Sequence, residues 1–222
     1  QPSSNYSDIN GDGFVDAVIT ANDSEMHVAL NQINRTNLLQ QVNRPLGATI
    51  ALDYQRIGNT YAMPQSRLVM SKVTVDDGFP DNGAATADAD VQKTAYTYKD
   101  GQYDRYERDF YGFETVTEKQ LDTAHSNTVY RKVVTTYLNG NYYDKGLEKE
   151  ERTFDGAGNI YLETLNTYLL RDLGNGAEVP PKSLDASSTS YATNTIFPML
   201  RKTTHQIPDP RKTPRTSMPA LW

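Results

Sequence analysis

The chain of 222 residues contains no cysteine. That absence excludes a disulfide framework, a thiol nucleophile and a thiolate metal site. Histidine is scarce: His27, His125 and His205 stand far apart, and none sits in a metal-type pair or beside an evident nucleophile. There is no phosphate-cradling glycine loop and no Gly-x-Ser-x-Gly elbow. No apolar run approaches the roughly 20 residues that a membrane-spanning helix needs. Apolar residues make up only 37% of the chain, so the core is expected to be thin or shared along a sheet. Basic residues are outnumbered, 22 against 28 acidic, for a net charge of −6, which speaks against nucleic acid or an anionic membrane as the main partner. A glycosidase needs two carboxylates at a set separation, but with 28 acids some close pair is inevitable. The expectation is a protein that is not an enzyme.

What the sequence does have is tyrosine and turn residues. Fifteen Tyr stand against six Phe and one Trp, a balance that suits sheets whose rings are buried while the hydroxyl stays wet. Tyr103 to Phe113 packs five aromatics, five charges and one glycine into eleven positions. Its apolar parity changes along the stretch, so a bulge is expected at Gly112, where no Cβ opposes the required backbone angles. The stretch reads as one long strand, paired through a turn at Lys99-Asp100-Gly101 with Thr94–Tyr98. Strands are also expected at 48–54, 67–75, 147–154 and 160–169, with turns at Gly58-Asn59, Asn139-Gly140-Asn141 and Asp155–Asn159. Residues 129–138 are apolar on both parities, which predicts cover on both sides. Asn37–Asn43 has helical propensity but is too short to stand as a helix and reads as a strand. Residues 76–90 read as an exposed loop, and 189–196 as one more strand. The pattern is all-β, a mainly antiparallel meander.

The sharpest chemical signal is Asp8-Ile9-Asn10-Gly11-Asp12-Gly13-Phe14-Val15-Asp16. Oxygen side chains recur at every second position, as a loop wrapping calcium with six to eight oxygens requires. Asp8, Asn10, Asp12, the carbonyl of Phe14 and Asp16 are the candidate ligands. Ile19 stands where an EF-hand has its bidentate glutamate, and Asp16 would close the set instead. The alternative is an ion-free Asn-Gly/Asp-Gly turn. The loop resembles the calcium loops of FG-GAP/VCBS repeats, the blades of integrin-like β-propellers. Only one repeat is visible, so residues 1–34 read as a remnant blade whose companions lie upstream.

A second resemblance rests on an ordered set: Asn43–Gly47, Asp53-Tyr54, Gly58–Pro64, Lys72–Gly78, Tyr103–Phe113 and Tyr142–Leu147. The set, within residues 8–170, resembles large bacterial RHS/YD-repeat proteins and the middle region of toxin-complex B subunits. Prolines and weak periodicity make 174–222 read as a proline-rich extended tail, outside the resemblance, which implies 35–173 as an RHS-shell-like antiparallel sheet. The resemblance also implies a secreted or cell-surface structural segment, part of a β-shell and propeller that encloses or delivers a toxin cargo. The implied partners are upstream propeller blades, downstream RHS repeats and toxin-complex A and C subunits. No catalytic residue carries over, because the family's autoproteolytic aspartates lie in another region. The rival reading is a calcium-stabilised adhesin or carbohydrate-binding module. The opening Gln1-Pro2-Ser3-Ser4-Asn5 has neither a start methionine nor a signal-peptide core, and reads as part of a longer chain.

Overall fold

The computed structural model describes residues 3–22, 24–32, 37–79, 91–179 and 196–207. These form two antiparallel sheets. The small one orders β1 (Ser3–Ser7), β2 (Asp16–Asn22) and β3 (Glu25–Ala29) as β1-β2-β3. Asn22 ends β2 and makes the reversal, its side-chain carbonyl accepting the Ser24 amide at 3.0 Å.

The large sheet is a meander. β4 (Gln41–Asn43), β5 (Thr49–Ile57), β6 (Arg67–Asp76), β7 (Val91–Asp104), β8 (Asp109–Asp122), β9 (Thr128–Tyr137), β10 (Glu148–Asp155) and β11 (Ile160–Asp172) each pair antiparallel with the next. β12 (Glu178–Val179) and β13 (Ile196–Gln206) both pair with β11. β10 and β13 both pair with residues 163–165 of β11. They therefore lie on opposite edges of it, and β13 is the outermost strand. One short 3-10 turn, Thr123–His125, is capped by the Asp122 carboxylate.

Local patterning reads correctly where large apolar side chains alternate, as in β5 and β6, and where charged residues mark a solvated face, as in β10. Ile50, Leu52 and Tyr54 fall within β5, and the 67–75 and 147–154 readings match β6 and β10 to within a residue or two. The Asp155–Asn159 turn closes as expected: the Asp155 amide donates to the Asn159 carbonyl at 3.0 Å, and the Asn159 amide returns to the Asp155 carboxylate at 2.8 Å. The Asn37–Asn43 reading shrinks to the three residues of β4.

The Tyr103–Phe113 reading needs a correction. The stretch is not one strand but the tip of the β7–β8 hairpin: β7 runs on through Asp100-Gly101 to Asp104, and the chain reverses at 105–108. Asp104 makes that turn, its Oδ1 accepting the Tyr106 and Glu107 amides at 2.8 and 2.7 Å. Gly101 serves close approach instead of reversal, since a Cβ there would lie 2.8 Å from Met63 Sδ and 3.0 Å from the Phe113 ring. The expected bulge is present. Gln102 pairs with Gly112 and Tyr103 with Phe110, which leaves Tyr111 extra on β8, beside Gly112 at φ +97.

Burial is sparse. Among the described residues only Met63, Tyr111, Leu170 and Ile196 are buried hydrophobics, joined by Asp16 and Thr153. β9 is not covered on both sides as its composition suggested; its residues are half-buried or exposed, Tyr130 being 53% exposed. Part of the stretch from 174 onward enters the sheet as β12 and β13, where Ile196 and Leu170 pack together with Tyr143 and Val179 against them. Most of the 76–90 reading and all but the last residue of the 189–196 reading fall outside the described residues.

Candidate functional site

The Asp8–Asp16 loop joins β1 to β2, and its carboxylates first satisfy the loop's own backbone. Asp8 accepts the Asp12 amide at 2.9 Å and the Gly13 amide at 2.7 Å; Asp12 accepts the Phe14 amide at 2.8 Å; Asn10 accepts the Asp12 amide at 3.0 Å. Gly11 and Gly13, at φ +74 and +82, supply the left-handed angles that fold these oxygens back.

Asp16 is different in kind. It opens β2, has no solvent exposure, and accepts the Ile9 amide at 2.9 Å through one oxygen and the Asn31 amide at 2.8 Å through the other. The Asn31 amide, then the Ile9 amide, hold its pKa below the usual carboxylate value against the opposing effect of burial. One side chain thus ties the entry of the loop, the start of β2 and the segment after β3. Sequence spacing places Asp16 in the loop but cannot show that it is sealed beneath the others. Among the described residues, no group of three or more His, Cys, Asp or Glu is gathered as a metal site.

The loop rests on the β5–β6 turn. A Cβ on Gly11 would fall 1.8 Å from Asn59 Nδ2, and one on Gly13 would lie 3.4 Å from both Arg56 Nη1 and Ser66 Oγ. The Arg56 guanidinium sits over the Phe14 ring at 5.3 Å and donates to Ser66 Oγ at 3.2 Å. The loop is therefore a junction between the two sheets as well as a cluster of oxygens.

Three hairpin ends of the large sheet gather beside this junction. The Tyr103 amide donates to the Ala62 carbonyl at 2.9 Å, and Arg105 donates to the Tyr61 carbonyl at 3.0 Å while lying over the Tyr61 ring at 4.6 Å. Asn139 reaches the Asp100 and Gly112 carbonyls at 2.9 and 3.3 Å. Lys145 pairs with Asp109 and stands over the Tyr142 ring at 4.2 Å, and its hydrogen bond is the main cause of the lowered Asp109 pKa. Burial instead raises the Asp144 carboxyl, whose Oδ2 accepts from Asn141 at 2.7 Å. Arg67 lies 4.3 Å over the Phe110 ring. The aromatic–charged stretch thus works as a clamp at the sheet's end. Its contacts with Tyr61, Ala62 and Lys145 are non-local, so no local pattern could announce them.

Two open cavities are lined by described residues. One of about 510 Å³ is bordered by the ends of β7 and β8 and by Tyr130; another of about 230 Å³ lies over Met63, Tyr98 and Phe113. No helix among the described residues is long and apolar enough to cross a membrane.

Comparison with known proteins gives this architecture a family. No curated protein matches the chain. Among solved structures, TcdB2-TccC3 without its hypervariable C-terminal region aligns with 92% of this chain at TM-score 0.60 and 13% identity. A structure of TcdB2-TccC3 aligns with 91% at 0.59 and 13%. The Photorhabdus luminescens Tc holotoxin pore, carrying a TccC3 mutation, aligns with 92% at 0.60 and 12%. This chain spans 12% of the length of each of those chains. At such identities the likeness is one of fold. The family model for the insecticide toxin TcdB middle/N-terminal region matches residues 3–146, and the chain belongs to that family.

Proposed function

We propose that this chain is a non-catalytic wall segment of a secreted toxin-complex protein. In this reading the large sheet forms part of a β-shell that encloses or delivers a toxin cargo, and the small sheet is the last blade of a propeller. The observation that carries the reading is the shortage of buried hydrophobics among the described residues of so wide a sheet. A sheet normally hides at least one face against a second layer, and a wall gains that layer from the rest of an assembly. The small sheet supports the same view. In register, Tyr6, Ala17 and Ile19 share one face, Val18, Val28 and Met26 the other, and apolar side chains on both are exposed. A blade between two neighbouring blades would cover both.

The partners in this proposal are upstream blades, downstream RHS repeats, and toxin-complex A and C subunits. Imaging of the assembled particle by electron cryo-microscopy tests it: β5 to β11 belong in the wall of a closed shell, and density elsewhere sinks the proposal.

The acidic loop is proposed to take a calcium ion. Asp8 and Asn10, exposed, and Asp12, half-buried, are oxygen donors at alternate positions, followed by the Phe14 carbonyl. Their donor chemistry fits a hard cation, which would use lone pairs the amide hydrogen bonds leave over. Asp16 closes the set from beneath. Calcium added after chelation is expected to raise the melting temperature by roughly 2–4 °C per kcal/mol of stabilisation gained at the calcium concentration used, and Asp12→Ala to abolish the rise. A flat response in the unsubstituted chain would reduce the loop to a turn.

A further inference from the structure

The two faces of the large sheet differ in charge, and one carries lysines in direct register. Lys72 of β6 pairs with Ala95 of β7, Ala95 with Lys119 of β8, and Lys119 with Lys132 of β9. Residues paired across an antiparallel sheet share a face, so these side chains form one row across four strands about 4.8 Å apart. Lys93 and Lys99 project from the same face of β7, two residues before Ala95 and four after it. Thr97, Thr117 and Val134 form the adjacent row. Ala95 is the low point among longer side chains.

Two of these lysines create a local conflict. Lys119 stands opposite Lys132, and like charges directly opposed weaken a strand pair. Lys72 has its own carboxylate, Asp53, at 2.9 Å, and Arg152 is held between Glu150 and Glu163 at 2.6 and 2.7 Å. Lys99 and Lys119 form no ion pair with any described residue, and Lys132 lies over the Phe154 ring at 4.0 Å without one. Nothing described neutralises the centre of the row.

We infer that this face is a docking surface for an acidic polypeptide segment, whose carboxylates lie over Ala95 and along the row toward Lys119 and Lys132, with Lys99 to one side. Charge complementarity selects the occupant. The positive area is short and bounded on its own face by Asp53 and Asp76 on one side and Glu150 and Glu163 on the other. A few carboxylates on an extended segment fit within those limits. A long phosphate backbone would run onto the acidic margins, on a chain whose net charge is already −6. Thr97 and Thr117 offer hydroxyls beside the lysines for the segment's backbone.

Fluorescence anisotropy of a labelled hexaglutamate peptide on the folded 222-residue chain tests this. Binding is expected at low salt and should weaken as salt rises. The Lys119→Gln/Lys132→Gln double variant should bind roughly tenfold more weakly, with no loss of melting temperature because the opposed charges are gone. Lys119→Gln alone should give an intermediate loss. Arg131→Gln, which removes a positive charge from the opposite face, should bind as the parent does. The inference fails if the peptide does not bind at low salt, or if the double variant binds like the parent. It fails equally if Arg131→Gln loses as much, or if an oligothymidylate of equal charge binds more tightly.

Discussion

Replacing Asp16 by alanine is expected to release the small sheet from its loop and to be the most damaging carboxylate substitution in residues 3–32. The side chain is fully buried and both oxygens are engaged, by the Ile9 and Asn31 amides. Alanine would leave two backbone donors inside without an acceptor, and buried donors without partners are among the costlier defects a fold can carry. Asp16→Asn keeps the size but turns one acceptor into a donor facing an amide, so it should lose nearly as much. Asp8→Ala is the control: its two amide contacts are exposed, and water can replace them. Hydrogen exchange should show protection at Ile9 and Asn31 falling roughly tenfold or more in Asp16→Ala and little changed in Asp8→Ala. The pH dependence has a definite sign. The folded-state pKa is lowered, so the stability Asp16 contributes is present above its unfolded value and is lost as pH falls through the folded one. Alanine at this position should flatten that acid limb.

Gly58→Ala is expected to disrupt the β5–β6 hairpin and with it the junction. Gly58 has φ +122, and a Cβ would meet the Gln65 carbonyl oxygen at 2.3 Å and the Ser66 Cα at 3.1 Å. Those atoms are backbone and cannot turn aside. The hairpin carries Asn59 to the acidic loop and Tyr61, Ala62 and Met63 to the clamp, so the damage should spread. Gly112→Ala separates the two causes, because Gly112 also has positive φ, +97, but nothing lies within 4 Å of its would-be Cβ. That variant should lose only the conformational part, about 1–2 kcal/mol. Gly58→Ala should exceed it by at least about as much again, read as a lower urea midpoint. Equal midpoints would mean that the Gln65 carbonyl gives way at little cost.

These two residues mark where the sequence is readable and where it is not. Local chemistry is legible. Apolar alternation locates β5 and β6, the charged pattern of a solvated face locates β10, the turn residues of Asp155–Asn159 locate a hairpin, and the parity change around Gly112 locates the bulge. The β7–β8 hairpin misleads because Asp100-Gly101 has a turn's composition, while the glycine is there to let Met63 and Phe113 close in. Asp104, whose carboxylate makes the real turn, carries no stronger signal than its neighbours. β13 is hidden by Pro198, which argues against an inner strand. As the outermost strand β13 tolerates it, and its partners on β11 lie some 25 to 45 residues away along the chain. The oxygen spacing of the acidic loop is plain, but its seat on Arg56, Asn59 and Ser66 belongs to the tertiary fold.

The lysine row is not legible in the sequence for a similar reason. Lys72, Lys119 and Lys132 are unremarkable along the chain, and only the register of four strands brings them together. The same register gives the sheet unlike faces: one with cross-strand ion pairs and lysines, the other with Tyr96, Tyr98, Val116 and Val133. A wall that separates two environments should have unlike faces.

Electron cryo-microscopy of the assembled toxin-complex particle containing this chain tests the central claim most directly. β5 to β11 should form a continuous strip of a closed β-shell, with the three-stranded sheet packed on both faces by neighbouring propeller blades. A large sheet lying outside any shell, or a small sheet open to solvent on both faces in the complete particle, would contradict it.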